Sequence, residues 1–275
     1  MAALEGYNTI MFKVLFLGDI VGKPGRQALA KAFPSLKRRY KPTFVIANCE
    51  NAVHSAGINR EKLTEILALR VDACTSGDHS LDIRGAEELF QSPDLPIVGP
   101  GNWTGGVAGR GWRIIRKGKK SLLLLCVMGR VFIKHPSDDP FTSVERMLAE
   151  ARKQKYDCSL LDVHAEATSE KRAIAEAFDG RIDVIVGTHT HVQTNDGKTL
   201  PKGTGFLTDA GMCGPTNSIL GLRADTIIRK FRTNISQRNE PAEGPCEVSG
   251  CLATIGKKGT KMELVRVEGI TVDNG

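Results

Sequence analysis

The sequence predicts an α/β fold built around two sheets, and two patterns carry that prediction. Short apolar runs alternate with amphipathic stretches along most of the chain, and polar residues capable of chemistry recur where the apolar runs end. A third observation supports one core: 275 residues with no internal repeat, no low-complexity linker and no sharp change of composition.

Residues 1–10 precede a second methionine, Met11, after which an apolar strand begins at once. They are therefore read as an extension or cloning remnant, with residues 11–275 as the single domain. The apolar run 13–17, the amphipathic stretch 26–39 and the apolar run 43–47 spell strand, helix, strand. A helix at 60–69, a short strand at 73–75, a helix at 84–90 and a strand near 97 continue the alternation, which implies a parallel sheet. Residues 99–111 form a Gly-rich loop, and 112–115 with 121–127 make a hairpin around a basic turn. Beyond it the pattern predicts a helix at 143–153, a strand at 159–163, a helix at 169–178, strands at 183–186 and 205–208, a helix at 224–232 and strands within 247–272.

The hydrophobic fraction of 41% and charged fraction of 25% are those of a globular chain. The net charge of +7 is spread out, and its densest cluster, 116–120, is read as a solvated turn. Stable nucleic-acid binding is not predicted, although the surplus charge attracts an anionic substrate. Seven cysteines without a CxxC pair, several inside apolar runs, indicate a reducing compartment. No signal peptide is evident and the longest apolar run, 122–128, is far too short for a membrane span, so a cytoplasmic location is expected.

Open α/β sheets place ligands at the carboxyl ends of their strands, and the residues of interest fall there. Asp19 ends the first strand; a carboxylate in that place ligates a metal, caps the next helix or forms a turn. Glu50 and Asn51 end the next strand with adjacent oxygen donors suited to a hard or borderline cation, although a turn has the same composition. Asp78 and His79 set a carboxylate beside an imidazole, as would a capping Asp next to a surface His. His164 ends the strand at 159–163. The segment Gly187-Thr188-His189-Thr190-His191 is more specific, because two imidazoles stand one residue apart in a polar loop.

Four of the six histidines thus end strands beside carboxylates or amides, which chance scatter does not favour. Asp19, Glu50, Asn51, Asp78, His164, His189 and His191 offer nitrogen and oxygen ligands for two divalent cations, with no thiolate required. Two cations about 3.5–4 Å apart clamp the attacking and leaving oxygens of an in-line displacement at phosphorus. His54 and His135 are left as surface or loop residues.

The motifs Gly18-Asp19, Gly77-Asp78-His79 and Gly187 to His191 resemble the GD, GNH and GHTH series of the calcineurin-like metallophosphoesterases. The strings GDIVGKPGR from Gly18, HAEATSEK from His164, GTHTHVQT from Gly187 and TDAGMCGP from Thr208 resemble the bacterial YmdB-like branch over about residues 11–270. The resemblance implies a four-layer αββα sandwich, a phosphodiesterase acting on 2′,3′-cyclic nucleotides, iron or manganese as the metal, and a homo-oligomer. It further implies one metal on Asp19, Glu50, Asn51 and His191, with Glu50 bridging to a second on Asp78, His164 and His189. The branch lacks the DxH histidine; Ile20-Val21 follows Asp19, and Asn51 takes a ligand role. Asp78 stands where the family has Asn, which implies tighter cation binding and a weaker pull on the phosphate.

A ribose alkoxide leaves poorly at neutral pH, so a proton donor is expected, and His79, beside Asp78 but outside the ligand set, is the candidate. Thr188, Thr190, Asn102 and the 99–111 loop are candidates for the pocket wall. A P-loop nucleotidase is disfavoured because GDIVGKPG lacks the GK[ST] ending, and a Rossmann dehydrogenase because G-x-G-x-x-G is absent after the first strand. Two rivals remain: a metal-dependent hydrolase of another bond, such as an amide, and a low-turnover metal- and nucleotide-binding regulatory protein, which Asp78 keeps open.

Overall fold

The structure is a computed structural model that describes residues 11–235 and 238–273; the expected extension at 1–10 lies outside the described residues. In chain order the elements are β1 (Phe12–Leu17), β2 (Asp19–Ile20), α1 (Gly22–Tyr40), β3 (Phe44–Asn48), α2 (Arg60–Ala68), β4 (Ala73–Thr75), α3 (Glu87–Gln91) and β5 (Ile97–Val98). There follow β6 (Trp112–Lys117), β7 (Lys120–Met128), α4 (Pro140–Ala151), β8 (Cys158–His164), α5 (Thr168–Ala177), β9 (Val184–Thr188), β10 (Lys198–Thr199), β11 (Gly205–Leu207), β12 (Met212–Pro215), α6 (Ala224–Thr233), β13 (Cys246–Gly256) and β14 (Gly259–Ile270).

Among the described residues these strands form two sheets. One runs β2-β12-β13-β1-β3-β4-β5 with β14 also paired to β13, and the other runs β10-β11-β9-β8-β7-β6. Alternation along the strands sorts the core into layers. Val14, Phe16, Phe44 and Ile46 of the first sheet meet Leu122, Leu124, Leu160 and Val184 of the second between the sheets. The intervening residues Leu15, Leu17, Val45 and Ala47 face Leu29, Phe33 and Leu36 of α1 and Leu63 and Ile66 of α2. On the far side Leu123, Leu125, Leu161 and Ile185 pack on Val144 and Met147 of α4 and Ile174 of α5. Period-2 strands buried on both faces explain the near-continuous apolar runs, and the result is the αββα order the resemblance implies.

Local chemistry sets the element ends. Asp139 caps α4 by accepting from the Phe141 and Thr142 amides, with Pro140 at the first helical position. Asn59 caps α2 through the Lys62 amide. The hairpin β6–β7 turns at Gly118, whose φ of 61° suits its lack of a β-carbon.

The parallel pairing expected of the alternating first half holds for β1, β3, β4 and β5, while the sheet as a whole is mixed, with β13 antiparallel to both β1 and β14. One expectation needs correction. The helix expected at 84–90 is confined to Glu87–Gln91, since Gly85 takes a φ of 79° that a helix cannot contain. All seven cysteines are buried free thiols. No described helix is long and apolar enough to cross a membrane.

Candidate metal centre

The parallel strands of both sheets end at one rim. β3 delivers Asn48 and the turn carrying Glu50 and Asn51, β4 the turn carrying Asp78 and His79, β8 His164, and β9 the loop carrying His189 and His191. Asp19 opens β2, in register with Met212 of β12. All seven residues expected as ligands therefore gather, in two adjoining groups.

In the first group, Glu50, Asp78, His164 and His189 each bring a ligand atom within 4.8 Å of the others. His164 Nε2 lies 3.1 Å from Glu50 Oε1, 3.0 Å from Asp78 Oδ1 and 3.0 Å from His189 Nδ1. In the second group, His191 Nε2 lies 3.2 Å from Asn51 Oδ1 and 3.9 Å from Asp19 Oδ1. Asp19 is fully buried, and its Oδ1 has no hydrogen-bond partner while Oδ2 accepts from the His189 amide at 3.2 Å. A buried carboxylate oxygen left unpaired beside an imidazole and an amide oxygen is what a cation site requires, so this donor set fits divalent metal.

The imidazoles are aimed by their outer nitrogens. Thr188 gives its hydroxyl proton to Asp162 at 2.7 Å, so its oxygen accepts from His164 Nδ1 at 2.8 Å and leaves Nε2 facing the cluster. His189 Nε2 lies 3.2 Å from the Glu166 carboxylate, leaving Nδ1 inward. His191 Nδ1 donates to the Leu220 carbonyl at 2.9 Å, leaving Nε2 inward. Each ring thus turns one nitrogen to the cluster, and a bound cation would take the place of the proton that nitrogen shares with the carboxylates, the arrangement that outer partners impose on metal-binding histidines.

Backbone geometry supports the same convergence. A β-carbon at Gly77 would stand 2.2 Å from Glu50 Oε2 and from His164 Cδ2, so the glycine of GDH makes room for the cluster. His189 and His191 have φ of 97° and 62°, left-handed values that cost about 1–3 kcal/mol each and persist only where surroundings impose them.

The charges are strongly coupled. Burial disfavours the charged form of His164, but Glu50 and Asp78 outweigh it and raise its pKa well above the ordinary value. Burial would raise Asp78, yet hydrogen bonds to His164 and His189 hold it far below the usual carboxylate range. Beneath them, burial lifts Asp162 to about 6 against the opposing influence of His164 and two threonine hydroxyls.

His79 stands beside this cluster at a cleft of about 240 Å³ that Val21, Asn51, Glu166, His191 and Leu220 also line. Its Nδ1 is 2.7 Å from Asp82 Oδ2 and its Nε2 is 3.9 Å from Asp78 Oδ2. Burial works against its charge, but Glu50, Asp78 and Asp82 together raise its pKa. His135, expected to be a loop residue without a role, lies edge-on to His79 with centroids 6.5 Å apart and stacks on Trp103. Of the expected wall residues, Thr190 lines the cleft and Thr188 lies beneath His164. Asn102 instead is buried and ties the backbones of Met128 and Asp138.

Four further residues lie around the group without belonging to the motifs' expected ligands. Asp162, an acid inside the apolar run Leu160 to Val163, is an anomaly visible in the sequence; it accepts from Asn48 and Thr75 of one sheet and Thr188 of the other. Glu166, Lys171 and Asp209 lie within the quoted strings HAEATSEK and TDAGMCGP, but nothing local in them signals their partners.

Two facing sheets whose strand ends bring three inward-aimed imidazoles, three carboxylates and an amide to one rim define a calcineurin-like metallophosphoesterase. The YmdB-like protein family model matches residues 15–267, and the chain belongs to that family. It is 41% identical over 260 residues to the 2′,3′-cyclic-nucleotide 2′-phosphodiesterase of Bacillus subtilis strain 168, covering 93% of this chain and 97% of that one. Among solved structures it is similar to a hypothetical protein from Thermus thermophilus, with 37% identity, TM-score 0.86, and 94% of this chain and 100% of that one covered. It is also similar to a novel phosphatase from Mycoplasma pneumoniae, with 28% identity, TM-score 0.87, and 96% and 95% covered.

Proposed function

We propose that the chain is a two-metal phosphodiesterase that opens 2′,3′-cyclic nucleotides, with iron or manganese as its cations. The observation that carries this reading is the pair of adjoining ligand groups at one rim, with one nitrogen of each of three imidazoles aimed inward. Glu50, Asp78, His164 and His189 would hold one cation, and Asp19, Asn51 and His191 the other, with Glu50 shared. Two such cations supply an activated water and neutralise the phosphate oxygens. The substrate class is carried over from the Bacillus subtilis relative.

The chain's own residues supply the rest. Hydrolysis adds water across a phosphorus–ribose oxygen bond: an oxygen of water joins phosphorus, the P–O bond breaks, and the departing ribose oxygen takes a proton. His79 is the donor, from Nε2. Asp82 holds the ring through Nδ1, and the flanking carboxylates keep the imidazolium populated. Val21 and Leu220 add apolar surface to the cleft wall.

The test is hydrolysis of 2′,3′-cyclic AMP by manganese-loaded protein beside His189→Ala, with bound metal quantified in both. Turnover that disappears with the metal in the variant supports the reading. A fully loaded wild type without turnover overturns it in favour of a nucleotide-binding regulator.

A further inference from the structure

Lys171 and Asp209 are fully buried and paired, Nζ to Oδ2 at 2.7 Å, outside the ligand set and unused by the reaction. Lys171 rises from α5 beneath the loop after β9; a β-carbon at Gly187 would stand 2.7 Å from its Cδ. An ammonium and a carboxylate taken wholly out of water seldom stabilise a fold more than apolar side chains of the same size would, so this pair calls for an account beyond stability.

Asp209 supplies one. Its Oδ2 also accepts from the Thr190 hydroxyl at 2.8 Å and the Thr190 amide at 3.2 Å, and Thr190 is the residue between His189 and His191. Its Oδ1 accepts from the Gly211 amide at 2.9 Å, and the Gly211 carbonyl in turn accepts from the Asp19 amide at 3.1 Å. Asp19 Oδ2 closes the ring by accepting from the His189 amide. One carboxylate therefore ties the backbones of three ligand candidates, and Lys171 neutralises and orients it.

We infer that the Lys171–Asp209 ion pair is a positioning device that, through Thr190 and Gly211, holds His189, His191 and Asp19 in the geometry needed to bind metal. It rests on the reading of those residues as ligands. The pair supplies the external constraint that the left-handed backbone of His189 and His191 requires. It also gives one physical reason for the lysine of HAEATSEK, the glycine of GTHTH and the aspartate of TDAG.

The test compares Thr190→Val, the double variant Lys171→Met/Asp209→Asn, and Arg181→Ala, which breaks an exposed pair with Glu145 in a different part of the fold. Thr190→Val removes one donor and leaves the ion pair intact, so it remains informative if the double variant does not fold. In the double variant the amide offers one acceptor oxygen where the carboxylate offers two, and cannot serve both Thr190 and Gly211. Two quantities are measured: hydrogen exchange over residues 187–194 in chelator-treated protein, and Mn²⁺ affinity by titration.

Thr190→Val and the double variant should exchange faster over 187–194 and bind Mn²⁺ more weakly by about tenfold or more, the usual effect of losing an outer partner. Arg181→Ala should match the wild type in both, whatever its melting temperature. Wild-type exchange and affinity in folded Thr190→Val, or affinity that simply tracks melting temperature across all the variants, overturns the inference. A wild type that takes up no Mn²⁺ overturns the reading of the ligands, and the exchange data alone then decide whether the pair holds the loop.

Discussion

The Glu166 carboxylate lies 3.2 Å from His189 Nε2, on the side of the ring away from Asp78 and His164. It selects the tautomer that leaves Nδ1 for a cation. Glu166→Gln, which can turn its amide donor to the ring, should weaken Mn²⁺ binding about tenfold while leaving the melting temperature in chelator unchanged. Titration calorimetry decides it; an unchanged affinity removes Glu166 from this role.

If His79 protonates the leaving oxygen, His79→Ala retains metal but loses on the order of a hundredfold or more in kcat on 2′,3′-cyclic AMP. The loss should be much smaller on nitrophenyl esters, whose leaving group needs no proton. Equal losses on both substrates would count against the assignment.

Asp78→Asn restores the amide of the family motif and removes one negative charge 3.0 Å from His164 Nε2. Metal affinity should fall by roughly tenfold and turnover by loaded enzyme should rise, since a less negative centre attracts phosphate more strongly. Unchanged metal content and unchanged kcat would show that the charge at this position does not matter.

Asp162→Leu leaves Asn48 Nδ2 and the hydroxyls of Thr75 and Thr188 without their buried acceptor. At about 1–3 kcal/mol for each orphaned group, the variant should lose several kcal/mol in urea denaturation. A change below about 1 kcal/mol would mean that water or a shifted partner replaces the carboxylate.

Behind Glu50 and Asn51, buried Arg26 donates to the Ala52 carbonyl and pairs with Glu65 at 3.0 Å. Burial would raise the Glu65 pKa, but Arg26 and Lys62 outweigh it and lower it. A depressed carboxylate contributes stability above its unfolded pKa of about 4.3 and loses it as pH falls through the folded value. Wild type should therefore exceed Glu65→Gln in stability near neutral pH, and the gap should close toward pH 3. Denaturation curves that stay equally separated at both ends would exclude the ion pair as the cause.

The sequence alone determined the α/β class and the positions of the ligand candidates. A strand that feeds a helix must turn at its carboxyl end, so Asp19, Glu50, Asp78, His164 and the His189 loop could be placed at one edge from local pattern. It did not determine the antiparallel entry of β13, nor that Gly85 would shorten a helix, because both depend on what packs against the segment.

Only the tertiary structure decided which nitrogen of each histidine faces inward, and which groups Asp162, Glu166, Lys171 and Asp209 touch. His164 meets Asp78 across 86 residues, and the His189 amide meets Asp19 across 170. Hydrogen bonds act over about 3 Å and are indifferent to sequence separation, so a short string such as HAEATSEK shows which groups are available, while the folded chain alone sets which of them touch.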